Sequence, residues 1–466
     1  MTMTRRSFLS ASAALASSPL LGGVARSAAL PRDADIVVIG AGAAGIAAAR
    51  RIIAANRKVI VVEAASQVGG RCITDASTFG VPFDRGAHWL HNPETNPIMQ
   101  LARAAGLDIA AAPPAQKIRI GRRNARAGEV EDFLATSVRA NRALDDASRR
   151  LDVSCASVLP KDLGDWAGTI EFAFGASFAG KDLKDLSVVD KVRAGDRGSV
   201  FTCRQGLGTL IAKLGEQVPI ALSTPVTRMD WGKREVLVDT SAGKIVARAA
   251  IMTVSTNVLS AGNIKFASEI PKRTLDAAAK LSLGSYDRIA LQMPGNPLGL
   301  SRDDVLIEQS NSTRTALLYA NIGGSSLCTI DVAGSFGQDL SAQGEAAMVA
   351  FAREWLTKLF GSEAAAAVKK SSATNWNAQP YVLGAMSAAA PGGQAARKIL
   401  NEPIGPVFIA GEATHETMWG TVDGAWESGE RAADAALRRI GAIRDTEPLA
   451  GAPAARRSRR RGAPIN

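Results

Sequence analysis

The stretch from residue 35 to residue 71 limits the fold of this chain more than any other. It opens with the β-branched run Ile36–Ile39, continues through an Ala-rich segment of helical character, and reaches a second apolar run, Val59–Val62. Continuous apolar runs of this length are typical of strands that are buried on both faces of a parallel sheet. Strand, helix and strand in this order predict a βαβ unit and therefore an α/β fold.

Three glycines mark the turn between the first strand and the helix. Gly40 permits the tight turn, Gly42 lets the backbone approach a pyrophosphate, and Gly45 allows the helix to pack closely on the strand. The N-terminus of the helix then offers N–H groups to phosphate oxygens. Glu63 follows the second strand, 18 residues beyond Gly45, where a carboxylate can bind the ribose hydroxyls of adenosine. The pattern predicts dinucleotide binding; the alternative is a βαβ unit with an empty crevice.

The next motif, Gly69-Gly70-Arg71, bears on which dinucleotide is bound. A pair of glycines again exposes backbone N–H groups, and the guanidinium can pair with pyrophosphate oxygens. We therefore predict FAD as the cofactor, with Gly70 and Arg71 among the residues that bind it.

Length and charge bound the class of protein. The 466 residues suffice for two or three domains, and 46% of them are hydrophobic, as in a globular enzyme. The net charge is +11, but residues 1–29 hold three arginines and residues 449–466 hold five, and neither end holds an acidic residue. The body of the chain is close to neutral, so nothing suggests nucleic acid as a partner. Residues 446–466 are predicted to be a basic, disordered tail.

The N-terminus carries Arg5-Arg6 ahead of a short stretch of Ala, Ser and Leu. This resembles a twin-arginine export signal, which we place at residues 1–29. Ser, Pro and Gly interrupt the apolar stretch, so no stable membrane insertion is expected. The expectation is a periplasmic protein that folds around its cofactor and then uses the twin-arginine export machinery; the alternative is a disordered N-terminal extension.

Cysteine and histidine are sparse. Cys72, Cys155, Cys203 and Cys328 lie far apart without metal-binding spacing, and only three histidines occur. We expect free thiols, although the periplasm would permit a bridge, and we expect no bound metal.

Three motifs in the first quarter of the chain carry a family resemblance. The sequence reads GGR at residues 69–71, GAHWLH at 86–91 and NPIMQLARAAGL at 96–107, and it resembles the flavin-containing amine oxidases, especially their polyamine oxidase branch. The resemblance implies that Gly86, Ala87 and Trp89 lie beside the flavin and that His91 faces the substrate. Taken alone, His91 would more often be a structural histidine.

Later segments extend the resemblance over residues 33–440. It implies that Val226 contacts the adenine through its backbone. The alternative is that Val226 is an ordinary valine in a strand. It also implies that Gly411 and Glu412 lie where a loop meets the ribityl chain and the pyrophosphate. Thr421 and Val422 open a helix whose N-terminus is aimed at the pyrimidine edge of the flavin.

The expected architecture is α/β, with a Rossmann-type FAD-binding domain of the glutathione-reductase-like kind and an inserted α+β substrate domain. The FAD-binding domain is discontinuous, and we assign to it residues 30–112, 206–268 and 384–445. The substrate-binding domain comprises residues 113–205 and 269–383.

Two departures from the family pattern concern the flavin surroundings. The position of the covalent flavin cysteine that some members carry is Ala385, so FAD is expected to be non-covalent. The two aromatic-cage positions of monoamine oxidases are Met386 and Thr421, so that cage cannot form. Trp419, Trp426 or Met386 then provide an apolar wall, unless they only pack in the core.

A third departure is Arg288, which stands where these oxidases usually carry a lysine bonded through water to flavin N5. Arginine keeps the positive charge but does not give up its proton at neutral pH, so slow reoxidation by oxygen is expected. The alternative is an ion-pair partner of Asp287 or of another acid. Glu171 is a candidate anchor for a substrate ammonium, although a surface carboxylate is the commoner case.

These residues predict an amine oxidoreductase in which His91 and Arg288 are the catalytic candidates, and Glu171, Met386, Trp419 and His91 contact the substrate. A primary or secondary amine, polyamine-like or monoamine, is oxidised to an imine that hydrolyses to an aldehyde, and oxygen or a periplasmic carrier accepts the electrons. Alternatives are an L-amino-acid oxidase using Arg288 or Arg119, a flavin desaturase or protoporphyrinogen-type oxidase, and a flavin-binding protein without turnover.

Overall fold

The computed structural model describes residues 33–112, 116–195, 197 and 199–444. The predicted export signal and the predicted basic tail lie outside the described residues. Two large sheets organise the chain. The described strands are β1 (Asp33–Ile39), β2 (Val59–Val62), β3 (Thr74–Asp75), β4 (Phe83–Asp84), β5 (Leu90–His91), β6 (Ile109–Ala111), β7 (Gln116–Ile120), β8 (Arg123–Asn124), β9 (Val200–Cys203), β10 (Ile220–Ala221), β11 (Val226–Trp231), β12 (Val236–Thr240), β13 (Gly243–Met252), β14 (Lys265–Phe266), β15 (Tyr286–Gln292), β16 (Asp304–Glu308), β17 (Leu317–Ala320), β18 (Leu327–Ala333), β19 (Lys370–Ala373) and β20 (Val407–Ile409).

Helices cover both sheets. The described α-helices are α1 (Ala43–Ala54), α2 (Pro97–Ala104), α3 (Ala127–Ser148), α4 (Ala167–Glu171), α5 (Ser177–Ala179), α6 (Val188–Arg193), α7 (Leu207–Gly215), α8 (Thr256–Ala261), α9 (Lys272–Lys280), α10 (Gly334–Ala342), α11 (Glu345–Phe360), α12 (Ser362–Ala366), α13 (Ala396–Leu400) and α14 (Val422–Arg439).

The first sheet has the strand order β10-β2-β1-β13-β12-β11-β14, and β20 pairs with β13. The strands β10, β2, β1, β13 and β20 run parallel. Ile36 and Val38 of β1 face the helices α1, α7 and α14, whereas Val37 and Ile39 face α8, α9 and α13. Because helices cover both faces, every position from Ile36 to Ile39 is buried, which explains the unbroken apolar run.

The second sheet has the strand order β19-β15-β18-β17-β16-β7-β8. Its strands come from residues 116–124 and 286–373, within the two segments assigned to the substrate domain. Side chains alternate between its faces. Ile289 and Leu291 of β15 pack in a core with α11, whereas Tyr286 and Arg288 of the same strand line a large cavity.

Two elements assigned to the substrate domain pair or pack with elements of the FAD-binding segments. The strand β9, assigned to the substrate domain, pairs with β5 and β6 of the FAD-binding segment. Helix α9, also assigned to the substrate domain, buries Ala277 and Ala278 in the core beneath the first sheet. Sequence patterns of short elements do not reveal which core they join, because that depends on long-range packing.

Three further observations concern the described residues. All four cysteines are buried and unpaired. No group of His, Cys, Asp and Glu side chains has the arrangement of a metal site within this part of the chain. Among the same residues, no helix combines the length and apolar character that a bilayer span requires.

Candidate active site

One cavity of ≈ 1760 Å³ lies between the two sheets. One end is formed by the turn after β1 and the loop after β2; the other end is formed by the face of the second sheet that carries Tyr286, Arg288 and Tyr319. This volume exceeds the roughly 300–1,000 Å³ of a pocket for a drug-sized ligand. The space therefore suits a dinucleotide together with a small substrate.

The glycine turn after β1 borders the cavity with three distinct environments. Gly40 has φ +104°, and a Cβ there would lie 2.4 Å from Thr253 Oγ1. A Cβ on Gly45 would lie 1.9 Å from the carbonyl oxygen of Gly40. A Cβ on Gly42 would meet no protein atom nearer than the carbonyl oxygen of Gly69 at 3.8 Å. Gly40 and Gly45 are thus required by the fold, whereas Gly42 leaves open space where a pyrophosphate would approach.

Glu63 lies at the same end of the cavity and is largely buried. Its carboxylate accepts hydrogen bonds from the backbone N–H groups of Ala41, at 2.6 Å, and Ala65, at 2.8 Å. Burial raises the pKa of Glu63, and these backbone donors offset only part of the rise. Val226, also a cavity residue, begins β11 nearby, so an adenosine bound here would lie between a carboxylate and a strand backbone.

Arg71 and Glu412 form an ion pair at the centre of the cavity wall. Nη1 of Arg71 lies 2.8 Å from Glu412 Oε1 and donates to the carbonyl oxygen of Ala385 at 2.6 Å. Glu412 also accepts from the N–H and hydroxyl of Ser387 and from the N–H of Gly420. Burial alone would raise the pKa of Glu412, but Arg71 and the hydrogen bonds outweigh it and lower the pKa.

Helix α14 points its N-terminus into the cavity. Thr421 caps the helix, since its hydroxyl oxygen accepts a hydrogen bond from the N–H of Gly424 at 3.0 Å. Thr421 and Val422 both line the cavity. Free N–H groups and the positive end of the helix dipole suit an anionic or carbonyl-rich ring edge.

His91 is oriented by this helix. Its Nδ1 lies 2.9 Å from Asp423 Oδ2, and its backbone N–H donates to the same oxygen at 3.1 Å. Asp423 is buried in the first turn of α14 and also accepts from Asn96. With Nδ1–H directed at a carboxylate, the imidazole keeps Nε2 for other partners, and the residue lines the cavity.

Arg288 is almost fully buried at the edge of the cavity. Its Nη2 and Nε lie 3.0 and 3.2 Å from Asp331 Oδ2, and its Nη1 donates to the carbonyl oxygen of Asp84 at 2.9 Å. Burial by itself lowers the pKa of Arg288, but Asp331 and nearby groups raise it above the ordinary value. Asp287 is not its partner, because that carboxylate accepts from Thr374 and Trp376 instead.

Two aromatic residues and a histidine complete this network, and none of them was predicted from the sequence. The Tyr286 hydroxyl donates to Asp331 at 2.8 Å, and the Tyr319 ring lies 5.7 Å from the Arg288 guanidinium carbon. His88 Nδ1 lies 2.7 Å from Nη2 of Arg288. Burial and then Arg288 lower the pKa of His88 well below its usual value, so its ring is neutral and accepts. The alternation of side chains along β15 and β17 was the sequence signal that could have placed Tyr286 and Tyr319 on the cavity side of the sheet.

Two predicted substrate residues do not reach the cavity. Glu171 ends α4 half-buried, and it is not among the residues that line the cavity. Trp419 is fully buried in a core cluster, where its indole N–H donates to the carbonyl oxygen of Asp190 at 3.3 Å. Trp426 likewise packs in the core of the first sheet. Charge made Glu171 a candidate and apolar size made the two tryptophans candidates, but packing among helices placed all three away from the cavity lining.

The remaining candidates do lie at the cavity. Gly70, Gly86, Ala87, Trp89 and Met386 belong to its lining. A Cβ on Gly86 would lie 2.1 Å from the carbonyl oxygen of Arg71, so the two motifs pack against each other. Ala385 also lines the cavity. The aromatic residues that line the cavity include Phe178 and Trp376, which were not among the predicted substrate-contacting residues.

Comparison with known proteins agrees with this site. The family described as flavin containing amine oxidoreductase matches residues 43–437. Polyamine oxidase 5 of Oryza sativa subsp. japonica is 27% identical, over 87% of this chain and 88% of that protein. Protein FLOWERING LOCUS D of Arabidopsis thaliana is 26% identical, over 86% of this chain and 55% of that protein. The chain thus spans about half the length of some curated relatives that it matches.

Solved structures share the fold. Cyclohexylamine oxidase from Brevibacterium oxydans IH-35A superposes with a TM-score of 0.74 at 20% identity, covering 88% of this chain and 100% of that one. A wild-type putrescine oxidase bound to putrescine gives 0.75 at 19% identity, covering 87% and 99%. At these sequence identities, the similarity shows a shared fold and nothing more.

The match over residues 43–437 shows that the chain belongs to the family of flavin-containing amine oxidoreductases. Its cofactor is FAD.

Proposed function

We propose that this chain oxidises a carbon–nitrogen bond of a primary or secondary amine to an imine, which water then hydrolyses to an aldehyde. One observation carries the proposal: a single cavity joins the glycine turn of a dinucleotide site to a chamber lined by His91, Met386 and aromatic side chains. Bound FAD would supply the hydride acceptor, and the protein would supply orientation and exclusion of water.

The residues at hand fit FAD. Gly42 leaves the approach to a pyrophosphate open, Glu63 offers a buried carboxylate to a ribose, and α14 presents its N-terminus. Arg71 would hold the pyrophosphate side while it remains paired with Glu412. Ala385 carries no thiol at the cavity wall, so we propose that FAD binds non-covalently. We also propose that the FAD-binding domain has a glutathione-reductase-like topology.

His91 would hydrogen-bond the substrate nitrogen or exchange its proton. Asp423 holds Nδ1 of the ring at 2.9 Å, which fixes the ring plane and makes Nε2 the nitrogen available to substrate. Arg288 would act as a fixed positive charge rather than as a proton donor, since Asp331 and burial hold it in place.

The electron acceptor is proposed to be oxygen or a periplasmic carrier. The Arg288 charge is paired with Asp331 at 3.0 Å, so less of it is available to stabilise negative charge that passes to oxygen. Stopped-flow reoxidation in air should therefore be slower than reduction by amine, and Arg288→Lys should change the oxygen step more than the reductive step.

The test is an anaerobic bleaching screen. Acid precipitation of the purified yellow protein should release all colour into the supernatant, which checks non-covalent binding. Polyamines, monoamines and amino acids are then mixed anaerobically with the holoprotein, and loss of the flavin absorbance identifies substrates. A protein that no amine bleaches would be a flavin carrier without turnover, contrary to the proposal.

A further inference from the structure

Arg197 is a further guanidinium at the cavity, besides Arg71 and Arg288, and it lies just beyond α6. Its Nη2 donates to the carbonyl oxygen of Trp419 at 2.7 Å, and its guanidinium carbon lies 4.9 Å from the ring centre of Phe178 and 4.8 Å from that of Trp419. Phe178, His91 and Arg197 all belong to the cavity lining. Two aromatic rings and a carbonyl group therefore hold this side chain at the wall of the chamber.

Arg197 has no acidic side chain in direct contact within the described residues, although Asp190, Glu412 and Asp423 attract it from farther away. It makes no ion pair there, and its buried Nε has no hydrogen-bond partner. Of the acids around it, Asp190 pairs with Arg397 at 2.6 Å and Glu412 with Arg71 at 2.8 Å. Asp423 is hydrogen-bonded to His91 at 2.9 Å and attracts Arg197 without contacting it. Burial, and then Arg397, lower the pKa of Arg197 to about 10, so it stays charged at neutral pH.

The chamber offers no free carboxylate to a cationic substrate. Among the described cavity residues, the acids are Glu63, at the nucleotide end, and Glu412, which is paired with Arg71. Lys191 lies behind the wall, with its Nζ 3.3 Å from the ring centre of Phe178. Burial lowers the pKa of Lys191 to about 7, so it adds only part of a positive charge at neutral pH. A second ammonium on a diamine would thus lie near a guanidinium without an ion-pair partner among the described residues, which is unfavourable in a poorly solvated site.

We propose that the amine oxidised here carries a carboxylate, and that Arg197 binds that carboxylate. This inference rests on the proposed function and names its substrate class. A guanidinium is suited to the role because it is planar, always charged and able to donate two parallel hydrogen bonds to a carboxylate. A ligand carboxylate would also pair with a charge that has no direct ion-pair partner among the residues that the structure describes.

The first experiment compares matched substrates by anaerobic stopped-flow reduction of the holoprotein. The pairs are phenylalanine with phenethylamine, and γ-aminobutyrate with butylamine; putrescine serves as a dication. In at least one pair, the member with the carboxylate should reduce the flavin more efficiently. Arg197→Met should lower that preference by about 10- to 100-fold, as expected for loss of a charge-assisted hydrogen bond. Arg197→Lys should restore part of it.

A control variant is available on the same segment. Arg193 is exposed, ends α6, and pairs with Glu416 at 3.0 Å; it is absent from the cavity lining. Arg193→Met should leave the preference unchanged. Equal or better reduction by the carboxylate-free member of both pairs would overturn the proposal, and so would a carboxylate preference that Arg197→Met does not alter.

A binding measurement separates this inference from the proposed function. The probes are 3-phenylpropanoate and its neutral alcohol, 3-phenylpropan-1-ol, and the readout is perturbation of the flavin absorption spectrum. The carboxylate should bind at least about tenfold more tightly than the alcohol, and Arg197→Met should abolish the difference. If no amine bleaches the flavin while this difference is observed, amine oxidation fails but the carboxylate site stands. If amines bleach it and the carboxylate has no advantage, the carboxylate site fails alone.

Discussion

At the scale of single residues, Arg288 is a candidate catalytic residue and also one half of a buried ion pair with Asp331. The two residues face each other across the antiparallel strands β15 and β18, and both are almost fully buried. Two buried charges stabilise a fold only while both are present, because desolvation of each is costly. We therefore expect that loss of the Asp331 charge alone destabilises the fold.

Asp331→Asn should destabilise the protein by about 3–5 kcal/mol, since it leaves a buried guanidinium without its counter-charge. The midpoint of urea unfolding measures this. The double variant Arg288→Met/Asp331→Leu should recover at least about half of the loss, because it removes both charges. Equal losses in the single and double variants would mean that packing, and not charge, dominates at this site.

The orientation of His91 depends on Asp423, and this dependence can be tested on function. Asp423→Asn removes the charge that holds Nδ1–H at 2.9 Å and should slow flavin reduction by about 10- to 100-fold, the usual cost of losing a group that orients an imidazole. FAD content should remain near wild type. Asp423→Asn with unchanged reduction rates would show that His91 needs no such support.

At the scale of elements, the β1–α1 turn contains Gly40 and Gly45, which the fold requires, and Gly42, which leaves space for the ligand. Gly42→Val should fold normally, because φ is −78° at this position and its Cβ meets open space, yet its FAD content should fall to less than about a tenth. Gly45→Ala should lose about 1–3 kcal/mol of stability, because its Cβ collides with the Gly40 carbonyl. Circular dichroism, urea unfolding and flavin absorbance distinguish the two. Normal FAD content in Gly42→Val would place the pyrophosphate elsewhere.

Glu412 ties together Arg71, the segment around Ser387 and the start of α14. Its folded pKa is lowered, so its contribution to stability is full above its unfolded pKa, at about pH 4.3, and is lost as pH falls through the lower folded value. The difference in urea midpoint between wild type and Glu412→Gln should be large at pH 7 and shrink below about pH 4. Glu354→Gln, at an exposed ion pair, should show no such trend; a constant difference for Glu412→Gln would contradict the assignment.

At the scale of the whole molecule, two sheets enclose one cavity, and loading of a cofactor into it requires a folded chain. This agrees with our proposal of twin-arginine export to the periplasm, which carries folded proteins. Changing both Arg5 and Arg6 to Lys should leave FAD-loaded protein in the cytoplasm and remove it from the periplasm. Cell fractionation with flavin fluorescence measures both pools. Undiminished periplasmic activity in the variant would refute export by this route.

The sequence by itself determined the nucleotide-binding unit. Strand, glycine turn, helix, strand and Glu63 are contiguous, and each depends on local periodicity or on backbone freedom, so β1, α1 and β2 were predicted closely. The cavity positions of Arg71, His91 and Met386 followed from the family resemblance, since motifs near the flavin share one arrangement.

Tertiary structure alone decided the partners of the buried charges. Arg288 and Asp331 are 43 positions apart, and only the register of two strands brings them together. The same holds for Arg197, because the tertiary structure pairs the nearby acids Asp190 and Glu412 with Arg397 and Arg71. Glu171 and Trp419 do not line the cavity for the converse reason: composition suggests which side chains suit a site, but packing of distant elements decides which of them reach it.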